Sequence, residues 1–593
     1  MDQMDALVVQ LKLSDQTKGL ENLINSLEKL SRLCKTLIHL GPRYDWKDLP
    51  YNGYRSIVKL CNLFTTNVIK PSLKSNKINR ESLVGVVNLL IAMSERAIIF
   101  SKETQNPPEK TMQNIASELF LGTKQHFADI ESHLEHYWGY HAFFWMTPSS
   151  RWVPYLFSLS TALIHKLPKS LLASISNEEY GTLLTYATWK ATPFFPMNVS
   201  NYVNNCFSRA YSSLLCIVNG VDFQQLLVPR QSRWIVPDDG SRITKPFSES
   251  VDNSFHENLS NIDKEKNPVL CYLMKSKSLI PSGDVILHAQ GGGFIIDARL
   301  FHESYLRDWV QKLDGAVIVN VIYSRFVRYP CALQEFIDVY FWLTKGGEDV
   351  IKTLGFKPRR IICLGDSAGF FLLLTMCCAV RDIQLISPSE ISLYPEALMG
   401  ICPFPSIGAP NVFSSFLLTY VDFFLSPSLI MHCISLYSTG ILFDSECLDF
   451  DNNNENNGSE TSSPPWLKEA TALTFFENFY HTWIKEGKSW HDCDPDEFHS
   501  RTNKIASRIP LPYISPLLSY DLDAINDLKL SLISTEFDPC LDLCIELAKQ
   551  WKGKLSFDVI ENMAHGFYGY YSLSNECYKA TEFCFKRLKD VCS

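Results

Sequence analysis

The most constraining feature of this chain is the stretch from Arg359 to Met376, in which a Gly-x-Ser-x-Gly pentapeptide separates two apolar runs. This pattern predicts a buried strand, a sharp turn and a buried helix. Ser367 lies at the centre of the turn. Gly365 and Gly369 leave room for neighbouring segments that approach too closely to tolerate side chains. The turn therefore presents the Ser367 hydroxyl clear of the sheet, as a nucleophile requires.

A serine hydroxyl is a weak nucleophile until a base takes its proton and N–H groups stabilise the oxyanion that follows. A glycine triplet, Gly291, Gly292 and Gly293, follows a predicted strand, and no side chains cover its backbone N–H groups. The triplet precedes the serine turn by one strand–helix–strand unit, where sheets of this type build an oxyanion hole. We predict an oxyanion hole from the triplet and from the N–H group of Ala368.

The acid and the base are expected near the end of the chain. A predicted strand from Leu528 to Ser534 leads to Asp538, and another from Leu555 to Ile560 leads to His565. The two residues are 565 − 538 = 27 positions apart, which leaves room for one helix and one strand. We predict that Asp538 orients the imidazole of His565 and that His565 deprotonates the serine.

Two neighbouring acids remain alternatives to Asp538. Glu536 precedes it by two residues, and Asp542 follows it by four. Asp542 is more typical of an acid in the first turn of a helix, where a negative charge is favourable. The alternative for His565 is an ordinary loop histidine, but its position after the last predicted strand favours the base.

Composition restricts the class of protein. The 593 residues are 46% hydrophobic and 20% charged, enough for two domains and at least one large core. A net charge of −9 provides no basic stripe for nucleic acid. The chain shows neither a signal-peptide pattern nor an uninterrupted apolar run of the roughly 20 residues that a membrane span needs. The 18 cysteines lack repeated spacing, which predicts reduced thiols and a cytosolic enzyme.

The pattern changes near residue 240. Residues 1–240 carry amphipathic segments at Leu20 to Leu40, Arg80 to Phe100 and Met112 to Tyr137, so we predict an all-helical N-terminal domain that binds lipid or a partner. From residue 241 short apolar runs alternate with helical segments. This alternation predicts an α/β catalytic domain with a mostly parallel sheet over residues 241–593.

The catalytic domain is predicted to contain a cap or regulatory insertion at residues 412–511. Its first part is rich in Phe, Leu and Ile, which indicates either a substrate-facing cap or two packed helices. Residues 449–465 are too polar to bury a core and are predicted to be a disordered loop with serines and threonines accessible to kinases.

Several clusters of histidine or aromatic residues lie outside Ser367, Asp538 and His565 and could in principle form a metal site or a lipid-facing surface. Zinc sites combine defined ligand spacing with thiol or carboxylate partners. The first histidine group lacks such a partner at defined spacing, and the second lies in a loop-like segment with Asp492, Asp494 and Asp496 interleaved, so we predict no metal. The aromatic cluster at residues 138–145 is more typical of a core than of a lipid-facing surface. The histidine-containing groups are His126, His133, His136 and His141, and His491, Cys493 and His499.

Three motifs together resemble the hormone-sensitive-lipase branch of the α/β-hydrolases, and within it the animal neutral lipase. They are Gly-Asp-Ser-Ala-Gly at 365–369, Asp-Pro-x-Leu-Asp at 538–542 and His-Gly-Phe at 565–567. Asn-Gly-Tyr-Arg-Ser at 52–56 resembles the helical N-terminal domain of the animal lipase, which bacterial relatives lack. The resemblance implies an α/β-hydrolase fold and cofactor-free hydrolysis of diacylglycerol, triacylglycerol and cholesteryl or retinyl esters.

The resemblance also implies partners and a location. The expected partners are neutral lipid esters, a lipid-droplet surface contacted peripherally in the cytoplasm, a fatty-acid-binding protein and a regulatory kinase, and the expected assembly is a homodimer. No nucleic acid is expected. Two other functions remain open at this stage: a short-chain carboxylesterase, and a weakly active or inactive scaffold that binds lipid or partners.

The chain departs from the family pattern at three places. Gln290 replaces the histidine of His-Gly-Gly-Gly, Phe370 replaces a glycine after the pentapeptide, and residues 322–328 replace the run Asp-Tyr-x-Leu-Ala-Pro-Glu. Because glutamine can both donate and accept hydrogen bonds, Gln290 is predicted to support the oxyanion loop. The loss of one oxyanion donor would cost about 3 kcal/mol, or about a hundredfold in rate.

Overall fold

The computed structural model describes residues 2–13, 20–75, 80–105, 220–230, 232–246, 268–296, 298–325, 327–409, 413–422, 425, 427–440, 507–571 and 574–593. The predicted helix at 112–137, the aromatic cluster, both histidine groups and the predicted loop at 449–465 lie outside these ranges.

The N-terminal part of the described chain is helical, and the helices predicted at 20–40 and 80–100 are confirmed. In α2 the apolar residues recur every three or four positions, and this stripe is buried. The side chain of Asn52 caps the start of α3 by accepting a hydrogen bond from the N–H of Arg55 at 3.2 Å. The helices are α1 (Asp2–Leu13), α2 (Glu21–Leu40), α3 (Gly53–Phe64), α4 (Lys70–Ser75) and α5 (Arg80–Gln105).

The described part of the catalytic domain is built on a mostly parallel sheet of eight strands, in the order β1-β2-β4-β3-β5-β6-β7-β8. The β1–β2 and β2–β4 pairs are antiparallel and the other five pairs are parallel. The strands are β1 (Val221–Val228), β2 (Val269–Ser276), β3 (Asp284–Ala289), β4 (Val317–Val321), β5 (Arg360–Asp366), β6 (Ala397–Pro403), β7 (Lys529–Phe537) and β8 (Leu555–Ala564).

Helices cover both faces of this sheet, as parallel crossovers require. A helix at Cys331–Lys345 follows β4 in the chain, and β6 begins at Ala397. The helices are α6 (Arg299–Val310), α7 (Cys331–Lys345), α8 (Gly347–Leu354), α9 (Ser367–Ile386), α10 (Pro427–Thr439), α11 (Pro516–Ser519), α12 (Leu541–Gln550) and α13 (Asn575–Cys592). A short 3₁₀ helix at Ser414–Tyr420 precedes α10.

The sheet begins before the predicted domain boundary. Strand β1 ends at Val228, twelve residues before position 240, and it pairs with β2 along its whole length. Because β1 is a partly exposed edge strand with polar residues at several positions, its sequence lacks the continuous apolar run of the central strands. The division into domains at 240 and 241 stays a prediction.

The N-terminal helices and one face of the sheet share a continuous hydrophobic core. It includes Leu27 and Phe64 from the helices, Ile362 and Ile533 from the strands and Phe585 from α13. Two described helices, at Arg80–Lys102 and Ser367–Ile386, are long and apolar enough to span a membrane, which the sequence pattern did not indicate. Their most apolar windows are 67% and 78% buried inside the fold, as expected of core helices.

Candidate active site

Ser367 lies where β5 ends and α9 begins, with a positive φ of 48°. A Cβ atom at Gly365 would lie 2.7 Å from the backbone nitrogen of Phe370, and one at Gly369 would lie 2.1 Å from the carbonyl oxygen of Ala289. Both positions therefore require glycine. The structure has the strained strand–turn–helix geometry that the pentapeptide predicts for a nucleophile.

The structure brings Asp538 and His565 together at the ends of β7 and β8. The Nδ1 atom of His565 lies 3.0 Å from Oδ1 of Asp538, and the same oxygen accepts the N–H of Cys540 at 2.8 Å. Burial lowers the pKa of His565, but the charge and hydrogen bond of Asp538 raise it, with smaller contributions from Asp422 and Asp366. The net shift of this pKa is upward from 6.5.

The two alternative acids are engaged elsewhere. The carboxylate of Asp542 accepts the N–H groups of Gly53 at 2.8 Å and of Ser415 at 2.9 Å. The carboxylate of Glu536 accepts a hydrogen bond from Lys59 at 2.7 Å. Of the three acids considered, Asp538 is the one that the structure places against the imidazole of His565.

Ser367 and His565 line the same cavity, which encloses about 1000 Å³ including the open space at its mouth. Its wall is mostly apolar. Helix α10, which belongs to the predicted insertion, contributes Ile430, Cys433 and Ile434 to this wall. Helix α10 therefore contributes to the wall around the nucleophile, and the assignment of residues 412–511 as a cap or regulatory insertion stays a prediction. The apolar lining also includes Phe294, Ile296, Phe404 and Leu425.

Gly292, Gly293 and Ala368 also line this cavity. Gly292 and Gly293 have φ values of 120° and 59°, a conformation that favours glycine. Gly291 differs, because its N–H donates to Oδ1 of Asp366 at 2.9 Å. The prediction that Gly291 contributes to the oxyanion hole is therefore wrong, since its N–H is already bonded to a carboxylate.

The glutamine that precedes the loop does not have the role that was predicted for it. Gln290 is fully buried, and neither its Oε1 nor its Nε2 has a hydrogen-bond partner among the described residues. Its side chain therefore does not support the oxyanion loop through hydrogen bonds, contrary to the prediction. The carboxylate of Asp366 holds the loop at Gly291 instead.

Asp366 is itself held by two side chains that the sequence analysis did not identify. Its Oδ1 lies 2.5 Å from Nε2 of His302, and its Oδ2 accepts the hydroxyl of Tyr568. The Nδ1 atom of His302 lies 2.7 Å from the carbonyl oxygen of Ala298. Both ring nitrogens of His302 thus face acceptors, so both must carry protons and the ring is cationic. Asp366 and His302 form a buried ion pair beneath the nucleophile.

The pKa values around this pair agree with that assignment. Burial raises the pKa of Asp366, but the charge of His302 and the hydrogen bonds from His302 and Tyr568 lower it, and the net shift is downward. Burial and the charge of His302 lower the pKa of the neighbouring His288 to about 4. The available sequence signal was Asp366 itself, because an acid at a buried strand end needs a partner.

The bulk of Phe370 is accommodated by a glycine on the adjacent strand. A Cβ atom at Gly400 of β6 would lie 2.6 Å from the ring of Phe370, which is fully buried. The glycine missing after the pentapeptide is therefore compensated at position 400, and the serine turn keeps its geometry.

Two groups of side chains in the described ranges have the donor types of a metal site, with ligand atoms within 4.8 Å of one another. In the first group both nitrogens of His302 are hydrogen-bonded, and in the second Nδ1 of His565 bonds Asp538. In each group, therefore, at least one potential ligand nitrogen already has a hydrogen-bond partner. The groups are His288, His302 and Asp366, and Cys402, Asp538 and His565.

Comparison with known proteins agrees with this geometry. A family model described as "alpha/beta hydrolase fold" matches residues 286–452. Human hormone-sensitive lipase is 32% identical over 160 residues, which are 26% of this chain and 14% of that protein. The hormone-sensitive lipase of Ictidomys tridecemlineatus is 24% identical over 449 residues, 56% of each chain. The chain has an α/β-hydrolase fold and is similar to hormone-sensitive lipases over part of its length.

The similarity of the chain to these relatives is partial. The alignments cover between 14% and 56% of the lengths of the hormone-sensitive lipases reported above. A rat arylacetamide deacetylase is 30% identical over 152 residues, 24% of this chain and 36% of that protein. Among solved structures, a Pyrobaculum calidifontis esterase is similar with a TM-score of 0.38 and 15% identity, covering 66% of this chain and 93% of that one.

Proposed function

We propose that this chain is a serine esterase that hydrolyses the esters of acylglycerols, with cholesteryl or retinyl esters as further substrates. The observation that carries the proposal is the placement of Ser367 on a strained turn in the same apolar cavity as the hydrogen-bonded pair of His565 and Asp538. This is the arrangement that acyl transfer through a serine requires.

The reaction begins when the Ser367 hydroxyl attacks the ester carbonyl carbon and His565 takes the hydroxyl proton. The N–H groups of Gly292, Gly293 and Ala368 stabilise the oxyanion of the tetrahedral intermediate. The intermediate collapses, the C–O bond to the alcohol breaks, and His565 gives its proton to the departing alcohol. Water, deprotonated by His565, then attacks the acyl-enzyme, and the fatty acid leaves as Ser367 recovers its proton.

The lining of the cavity supports a substrate with an extended acyl chain. Aromatic and aliphatic side chains of the oxyanion loop and of α10 surround the nucleophile, and they favour hydrocarbon over a charged acyl group. The likeness to hormone-sensitive lipases points to the same substrates. A small ester would fill less of this wall and would gain less from its burial.

The test is labelling of the purified chain with a fluorophosphonate probe, followed by fatty-acid release from dioleoylglycerol and from nitrophenyl butyrate. Ser367→Ala should abolish labelling and hydrolysis, and Ser278→Ala, which changes an exposed serine, should leave both unchanged. The proposal predicts preference for dioleoylglycerol. Preference for the butyrate would indicate a short-chain carboxylesterase, and absence of labelling in folded protein would indicate a scaffold.

The proposal extends to where the enzyme works. Neutral lipid esters are stored in droplets, so we propose that the chain acts at the droplet surface in the cytoplasm. We further propose that it acts as a homodimer, that a kinase regulates it and that a fatty-acid-binding protein aids it. Fractionation of cells that express the tagged chain tests the location. Recovery of the chain in the floating lipid fraction after oleate feeding supports it, and exclusion from that fraction contradicts it.

A further inference from the structure

The motif Asn-Gly-Tyr-Arg-Ser at 52–56 lies at the start of α3, and the proposed catalytic reaction leaves it without a role. In the structure this helix packs directly against the segment that carries the catalytic acid. The N–H of Gly53 donates to the carboxylate of Asp542 at 2.8 Å, four residues after Asp538. The N-terminal end of a helix carries a partial positive charge, so a carboxylate is well placed there.

The approach at this point is very close. A Cβ atom at Gly53 would lie 2.0 Å from the backbone nitrogen of Ser415, so any side chain would force the two segments apart. Ser415 completes the junction, because its hydroxyl donates to the carbonyl oxygen of Pro539, the residue after Asp538, at 2.9 Å. The segment after the catalytic acid is therefore fixed by α3 and by the 3₁₀ helix at Ser414–Tyr420.

One turn further along α3, two side chains contact the end of β7, the strand that precedes the catalytic acid Asp538. The hydroxyl of Ser56 donates to the carbonyl oxygen of Glu536 at 2.5 Å. Lys59 donates to the Glu536 carboxylate at 2.7 Å, and this carboxylate is only 7% exposed. Because removing the cation would leave a buried carboxylate without its counter-charge, this pair constrains the end of β7.

Glu536 connects the same helix to the strand that carries the base. The ladder between β7 and β8 is irregular here: Thr535 pairs with Ile560 and Phe537 pairs with Ala564, so β8 has two extra residues. The carboxylate of Glu536 accepts the N–H of Asn562 within this bulge at 2.8 Å. Three residues later the chain reaches His565.

We propose that α3 is a positioning element for the catalytic pair: Ser56 and Lys59 fix Glu536, and Glu536 fixes the ends of β7 and β8 so that Asp538 and His565 meet. The inference rests on the proposed function of this pair. The N-terminal helices then contribute to turnover as well as to stability, and a partner that displaced α3 would reduce the rate of hydrolysis.

The test compares Lys59→Met, Ser56→Ala and the double variant with Lys59→Arg, which keeps the cation. The matched control is Lys29→Met, because Lys29 forms an exposed ion pair with Glu95 at 2.9 Å on neighbouring N-terminal helices. The double variant should lose about tenfold in kcat with little change in KM, since a small displacement of the reacting groups is costly. Lys59→Arg and Lys29→Met should behave as the wild type.

A second measurement separates positioning from a loss of folded protein and does not depend on ester turnover. Asp538 raises the pKa of His565, so a displaced Asp538 should lower it, while the contributions of Asp422 and Asp366 remain. Titration of histidine-labelled protein by NMR, with the resonance assigned by His565→Gln, reports this pKa. The acid limb of kcat/KM should move to lower pH in parallel.

An unchanged His565 titration and unchanged kcat in the double variant would overturn the inference. A fall in activity that matches only a fall in folded protein would also overturn it, because a structural role alone predicts that result. If the wild type hydrolyses no ester, the proposed function fails, whereas a lowered His565 pKa in the double variant would still show that α3 positions the pair.

Discussion

Replacing Asp366 by asparagine tests whether the buried ion pair beneath the nucleophile holds the oxyanion loop. The carboxylate accepts the N–H of Gly291 at 2.9 Å, Nε2 of His302 at 2.5 Å and the hydroxyl of Tyr568. The amide has nearly the same shape but only one oxygen and no charge. At least one of the three donors must therefore face an NH₂ group, and the His302 cation loses its counter-charge.

The expected loss of stability follows from the change in hydrogen-bond type. Bonds to a charged group contribute about 1.5–3 kcal/mol, and neutral ones about 0.5–1.5 kcal/mol. Two or three weakened bonds predict that the free energy of unfolding falls by about 2–4 kcal/mol. The Gly291 N–H is adjacent to the donors at Gly292 and Gly293, and displacing one oxyanion donor costs about 3 kcal/mol, or about a hundredfold in kcat. The KM should change little, because these donors act mainly on the transition state.

The control is Asp382→Asn on α9, the helix that follows Asp366. The Asp382 carboxylate is also buried, and it accepts Arg242 at 2.8 Å and the hydroxyl of Tyr520 at 3.0 Å. Its loss of charge should reduce stability to a similar extent and leave kcat unchanged, because it lies far along the helix from Ser367. Urea unfolding followed by tryptophan fluorescence measures stability, and fatty-acid release measures kcat. Wild-type kcat in Asp366→Asn, or an equal loss in Asp382→Asn, would refute the reasoning.

Two further changes test the base and the packing behind the nucleophile. Asp538→Asn should reduce kcat by about 10⁴-fold. The charge of Asp538 raises the pKa of His565, and His565 must be neutral to act as base, so activity is lost as pH falls through this raised pKa. The substitution should therefore move the acid limb of the kcat/KM profile to lower pH. An acid limb that does not move would contradict the assignment of Asp538. Gly400→Ala places a Cβ atom 2.6 Å from the ring of Phe370 and should cost about 1–3 kcal/mol in urea unfolding. Phe370→Leu in the same chain should recover part of that loss, and no recovery would mean that the two side chains are not in conflict.

The strands and helices around the nucleophile could be predicted because each is specified by its own sequence. The runs at β3, β4, β5 and β6 are apolar on both faces and short, and glycines or helical segments bound them. Strand β1 could not be recognised in this way, since an edge strand needs only one apolar face and its partner β2 follows it after 40 residues.

In the candidate site, too, some features could be predicted from the sequence and others could not. The order of Ser367, Asp538 and His565, and the strand that precedes each, are local features that the sequence alone determined. The support of the oxyanion loop was decided only by the tertiary structure. Asp366 is hydrogen-bonded to His302 and Tyr568, which lie 64 and 202 positions away in the sequence. Gln290 has no hydrogen-bond partner among the described residues. The contact of α3 with the acid segment joins residues 489 positions apart. No periodicity or spacing reports such contacts, because they depend on which buried donors and acceptors the folded chain brings within bonding distance.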